Sequence, residues 1–154
     1  MLNKLRIVSS MVLLVVSPFA LGGEGAATEP ALALTFKDPQ LKWGPCPPFI
    51  PKGCEIAVLH GDPSKPNVDI FFKVPGGTAI PSHTHTSAER MVLVSGELEV
   101  TYEGQSPVKL KTGTYAYGPA SKPHTAVCKK GAPCVLFIAF ESPLDAIPTE
   151  SAAR

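Results

Sequence analysis

Apolar Val68, Ile70, Phe72 and Val74 alternate with Asp69, Phe71 and Lys73. A period of two over this length marks a strand with one buried face. Pro75, Gly76 and Gly77 then break it. A second, largely apolar run covers residues 90–95 and Gly96 supplies a turn. Residues 97–103 alternate again, with Leu98, Val100 and Tyr102 on one side and Glu97, Glu99, Thr101 and Glu103 on the other. Two strands about one glycine predict a hairpin. Shorter strands are expected at 108–110, 114–117, 125–128 and 134–140, each bounded by glycine or proline, and no stretch after the first 22 residues repeats with a helical period. Many short strands without helices point to a sandwich, barrel or jelly roll, architectures that protect sheet edges.

The flanks read differently. Residues 1–22 open with Lys4 and Arg6, run through an apolar stretch from 7 to 21 and end in small residues, the pattern of a secretory signal peptide. Ser9, Ser10, Ser17 and Pro18 interrupt that stretch, which is short beside the ~20 residues of a membrane span. From Glu24 to Asp62 the chain is punctuated by Pro30, Pro39, Pro45, Pro47, Pro48 and Pro51, leaving apolar pieces at 31–36 and 56–59. The expected organisation is a leader at 1–22, an extended arm with one or two strands at 23–65, a core at 66–142 and a tail at 143–154.

A chain of 154 residues suits one domain. Loss of Lys4 and Arg6 with the leader takes the formal net charge from +1 to −1, so neither nucleic acid nor an anionic membrane surface is an expected partner, and no membrane anchor should remain after cleavage. Four cysteines in an exported chain suggest two disulfides. Three connectivities are possible. Cys46 with Cys54 and Cys128 with Cys134 is favoured, because each pair closes a short loop rich in proline, glycine or lysine. None of the spacings is the C-x2-C of a structural zinc site. A periplasmic or secreted location follows from leader and cysteines together.

His83 and His85 stand two apart, so on a strand both imidazoles can face one point. Glu89 follows closely enough for a bend to bring its carboxylate there. Imidazoles with one carboxylate suit a borderline divalent metal, Fe, Mn, Zn, Ni, Co or Cu, without choosing among them.

The wider spacing resembles the two motifs of the cupin superfamily. Gly77, His83, His85, Glu89 and Gly96 meet every position of G(X)5HXH(X)3E(X)6G. Gly113, Pro119 and His124 meet three positions of G(X)5PXG(X)2H(X)3N, where Ser121 stands in place of glycine and Cys128 in place of asparagine. The resemblance implies an all-β double-stranded β-helix, the jelly-roll cupin barrel, holding one divalent transition metal on His83, His85, Glu89 and His124. Some cupins use three histidines alone, which would leave Glu89 beside the metal. Cys128 shares a strand face with His124, and a hairpin disulfide to Cys134 fits there, with a free thiol near the metal as the alternative.

By strand parity Phe72, Met91, Leu93 and Tyr102 are candidates for the pocket wall, alongside Leu98 and Val100 as core. A buried Tyr102 hydroxyl needs a partner, from the protein, a bound water or a substrate. Tyr115 and Tyr117 either line the rim or fill strands, Arg90 faces away from Glu89, and His60 reads as a loop residue. Small cupins include dioxygenases that cleave diketones, flavonols or thiols, and the core also resembles the cupin domain of certain anti-sigma factors. The leading expectation is a metal-dependent oxidoreductase, dioxygenase-like, acting on a small organic molecule. The alternatives are a binding or sensing module, and Lewis-acid isomerase or lyase chemistry with Tyr102 or Glu89 as proton carrier. A homodimer through edge strands is expected by analogy alone.

Overall fold

Alternating segments need a second layer to cover their apolar faces, and two sheets supply it here. The computed structural model describes residues 29–149, so the leader lies outside the described residues. In chain order the strands are Trp43–Pro45 (β1), Glu55–His60 (β2), Val68–Val74 (β3), Ala79–Thr84 (β4), Glu89–Ser95 (β5), Glu97–Tyr102 (β6), Val108–Lys111 (β7), Tyr115–Gly118 (β8), His124–Cys128 (β9), Cys134–Phe140 (β10) and Ile147–Pro148 (β11). They form a six-stranded sheet, β1-β2-β3-β10-β5-β8, and a five-stranded sheet, β11-β4-β9-β6-β7. Every pairing is antiparallel. The all-β jelly roll expected from the sequence is the fold observed. All of these strands lie in the unit Ala33–Arg154; residues 29–32 have no regular structure. Among the described residues no helix is long and apolar enough to cross a membrane.

The segments on either side of Gly96 are strands, but they do not form the expected hairpin. β5 pairs with β10 and β8, and β6 pairs with β9 and β7. Gly96, at φ 82°, is a corner that carries the chain from one sheet to the other. A side chain there would also drive a Cβ to within 2.8 Å of the Pro133 carbonyl oxygen. A single residue is too short for the two-residue loop of a tight hairpin. Alternation still holds, because both strands turn their apolar faces into the same interior: Met91 and Leu93 from one side, Leu98, Val100 and Tyr102 from the other. Phe71, grouped by alternation with the outward residues of its strand, is buried.

The Cys128–Cys134 bond likewise joins two sheets rather than two arms of a hairpin, since β9 and β10 lie in different layers. It sits in the core with Val68, Val74, Leu98 and Leu110. Cys46–Cys54 closes the loop between β1 and β2, as expected. The core limits drawn at 66 and 142 fall inside the observed sheets, since β1 and β2 extend the six-stranded sheet through β3 and β11 pairs with β4. His60 ends β2 opposite Asp69 instead of standing in a loop.

Peptide mapping of the unreduced protein should recover the two linked pairs Cys46–Cys54 and Cys128–Cys134. Replacing both Cys128 and Cys134 by alanine should lower unfolding free energy in denaturant melts by about 2 kcal/mol, the loop-closure value for so short a ring.

Candidate metal centre

Strand register assembles the centre. His83 of β4 lies opposite His124 of β9, and His124 opposite Tyr102 of β6, so the five-stranded sheet presents the three side by side. Glu89 opens β5 in the other sheet, between Phe140 of β10 and Gly118 of β8. His85 stands just beyond β4, where the chain crosses between layers. The site therefore lies between the two sheets at one end. Cys128 closes β9 four residues from His124, roughly 13 Å away at strand rise. The turn before His124 holds Ser121 at φ 58°, the left-handed conformation for which the cupin motif uses glycine. Its amide donates to the His85 carbonyl oxygen at 2.8 Å.

All three imidazoles are oriented in the same way. His83 Nδ1 is 2.8 Å from the Pro81 carbonyl oxygen, His124 Nδ1 is 3.1 Å from that of Lys122, and His85 Nδ1 is 2.5 Å from that of Asp145. A carbonyl only accepts, so each Nδ1 carries the proton and each Nε2 keeps its lone pair. Each of the three residues offers a ligand atom within 4.8 Å of the others. Burial pushes the His83 pKa down, and that of His85 to about 4 and of His124 to about 3, so the rings stay neutral. The three Nε2 lone pairs converge, and buried His85 Nε2 has no hydrogen bond. A divalent cation is the partner this donor set fits, with the carbonyl acceptors acting as the outer layer that orients metal-binding histidines.

Glu89 touches part of the triad. Its Oε1 is 3.3 Å from His85 Nε2 and its Oε2 is 3.5 Å from His124 Nε2. Burial pushes its carboxyl up to about 8, so without a cation beside it the group is held neutral. Tyr102 stacks on His124 with ring centroids 4.8 Å apart, and its buried hydroxyl has no hydrogen-bond partner. Burial first, and the nearby Glu89 second, push that hydroxyl upward. Gly118 makes room for both groups. A Cβ there would run into the Tyr102 hydroxyl and come within 3.0 Å of Glu89 Oε2.

Above these groups lies a cavity of about 350 Å³. Of the four wall candidates, Phe72, Met91 and Tyr102 line it and Leu93 does not. Leu93 is four residues along β5 from Glu89, roughly 13 Å deeper, and is fully buried in the core. Tyr115 and Tyr117 are exposed on an edge strand and do not line this cavity. Arg90 faces away from the site and pairs with Glu141, as its parity requires. Two parts of the wall carried no motif: Pro45, Cys46, Pro47 and Ile50 from the disulfide loop, and Leu144, Asp145 and Ala146 after β10. Phe49 of that loop also stacks on His83 at 5.8 Å. No local pattern marks such residues, because their place depends on where a distant loop lands.

Residues 70–140 match the family described as a cupin domain, and that stretch carries His83, His85 and His124. No curated protein matches it by sequence. Solved structures share the fold at low identity. The DMSP lyase DddQ of Ruegeria pomeroyi superposes with a TM-score of 0.62 at 20% identity, over 74% of this chain and 64% of that one. The polyketide cyclase RemF of Streptomyces resistomycificus gives 0.62 at 17%, over 79% and 88%. Oxalate decarboxylase of Bacillus subtilis gives 0.52 at 17%, over 60% and 26%. The chain spans just under two thirds of the length of the two DMSP lyases it matches.

His83→Ala and His124→Ala should each weaken metal binding by more than the ~10–100-fold lost with an outer-layer partner, read by competition with a chelator. Gly118→Ala should cost about 1–3 kcal/mol in stability through overpacking and change the spectrum of the cobalt-loaded protein, since Tyr102 and Glu89 must both shift.

Proposed function

We propose that this cupin is an exported metal-dependent enzyme, oxidising a small organic molecule in the manner of a dioxygenase. The observation that carries the reading is the position of the triad: three Nε2 lone pairs meet at the end of a cavity whose other walls are chiefly Pro, Ile, Val, Leu, Met and Phe. When bound, a divalent metal such as iron would supply Lewis acidity and a path for electrons. The residues of the chain do the rest. His83, His85 and His124 hold the metal, Glu89 adds a carboxylate beside it, and the apolar wall excludes water.

The lining residues include no lysine or arginine. A dicarboxylate or phosphate would enter with a charge that no side chain neutralises, at a steep desolvation cost. A phenol, enol or thiol with one ionisable group and an apolar body suits the cavity better. The two disulfides support a working place in an oxidising compartment, periplasmic or extracellular.

One observation favours a second reading. The unpartnered Tyr102 hydroxyl beside Glu89 is placed to move a proton on a metal-activated substrate, which is lyase or isomerase chemistry without oxygen. Anaerobic titration of the Fe(II)-loaded protein with diketones, phenols and thiols, followed by air, separates the two. A ligand that shifts the metal spectrum and is then oxidised with oxygen uptake supports the dioxygenase. Conversion without oxygen that Tyr102→Phe abolishes supports the lyase. Binding with no product in either case leaves a ligand-binding cupin.

A further inference from the structure

The crossover from β4 to β5 carries His85, and it is held mainly by residues that follow β10. Ser87 Oγ accepts the amides of Glu141 at 2.8 Å and Ser142 at 3.2 Å. Asp145 meets the crossover three times. Its Oδ1 accepts the Thr86 amide at 2.9 Å, its Oδ2 accepts the Thr86 hydroxyl, and its main-chain carbonyl accepts His85 Nδ1. Leu144 donates its amide to the Pro63 carbonyl oxygen at 2.9 Å, and Thr149 donates its own to that of Ser82 at 3.0 Å.

We infer that Asp145 is a positioning residue for the metal centre, its carboxylate gripping Thr86 so that its own carbonyl fixes the tautomer and direction of His85. The other two imidazoles are oriented by carbonyls two residues before them, those of Pro81 and Lys122. Local backbone fixes those contacts. His85 differs, because its acceptor is sixty residues away in sequence. A hydrogen bond from so remote a segment survives only if that segment is anchored where it stands, and the two bonds to Thr86 anchor it at the next residue. Both are charge-assisted and their geometry is bidentate. Metal binding and docking of the tail are thereby coupled: each favours the arrangement the other needs.

The inference rests on the metal reading of the triad, and cobalt titration tests the two separately. The full exported chain is stripped of metal, and Co(II) affinity and the visible absorption of the loaded protein are measured. Wild type should bind one Co(II). Asp145→Ala, which keeps the carbonyl but loses the grip, should bind about 10-fold more weakly with altered absorption bands. Asp145→Asn keeps an oxygen for the Thr86 amide and should recover most of the affinity. Thr86→Val should fall between wild type and Asp145→Ala, and should add nothing in the Asp145→Ala background, because both act through one contact. Amide exchange at Thr86 should slow when Co(II) binds.

Unchanged affinity and spectrum in Asp145→Ala would overturn the inference while leaving the metal centre intact. A wild type that binds no Co(II) would overturn the reading of the centre itself. If Asp145→Ala does not fold, as judged by melting of the metal-free protein, Thr86→Val decides. Wild-type affinity and spectrum in that variant would sink the idea.

Discussion

Three histidine lone pairs meeting in a buried space are the constraint on which the rest of this structure depends. Each ring is fixed by an Nδ1–H that donates a hydrogen bond to a backbone carbonyl, which leaves the Nε2 atoms facing one another without hydrogens. Burial keeps all three neutral and holds the adjacent Glu89 neutral too. The Nε2 atoms gain no hydrogen bond from one another, since none of them carries a proton. The arrangement is stable only because the surrounding sheets over-determine it, and it becomes favourable on its own account when a cation accepts the lone pairs.

The jelly roll meets that demand through register. Adjacent β4, β9 and β6 place His83, His124 and Tyr102 in one row, and β5 brings Glu89 from the facing sheet. The other end of the barrel is packed with fully buried aliphatic side chains and stapled between layers by Cys128–Cys134. One end is therefore given to stability and the other to the histidine triad. Gly118 shows the division at a single position, where the lack of a side chain lets Tyr102 and Glu89 approach.

The cavity walls come from three separate stretches of chain. Barrel strands provide Ile70, Phe72, Met91 and Ile138, the loop closed by Cys46–Cys54 provides Pro47 and Ile50, and the residues after β10 provide Leu144 and Asp145. The tail serves twice, since Asp145 both lines the cavity and accepts His85 Nδ1. His83 and His124 are oriented within the barrel, whereas the disulfide loop can change the space above them without disturbing the sheets.

Much of this was legible in the sequence by itself. Alternation located most of the strands, because side-chain direction in a strand has a period of two whatever the strand pairs with. The spacing of Gly77, His83, His85, Glu89, Gly96 and His124 brought the centre together, since a fixed number of residues between turns fixes which side chains end adjacent. Other features were decided by tertiary structure. Gly96 reads as a hairpin turn because local pattern does not tell which partner a strand will take, and the Cys128–Cys134 bond reads as a hairpin staple for the same reason. Leu93 has the parity of a pocket residue, yet depth along the strand put it in the core. Asp145 carries no signal at all: its importance comes from a contact sixty residues distant, made only when the tail has returned to the mouth of the barrel.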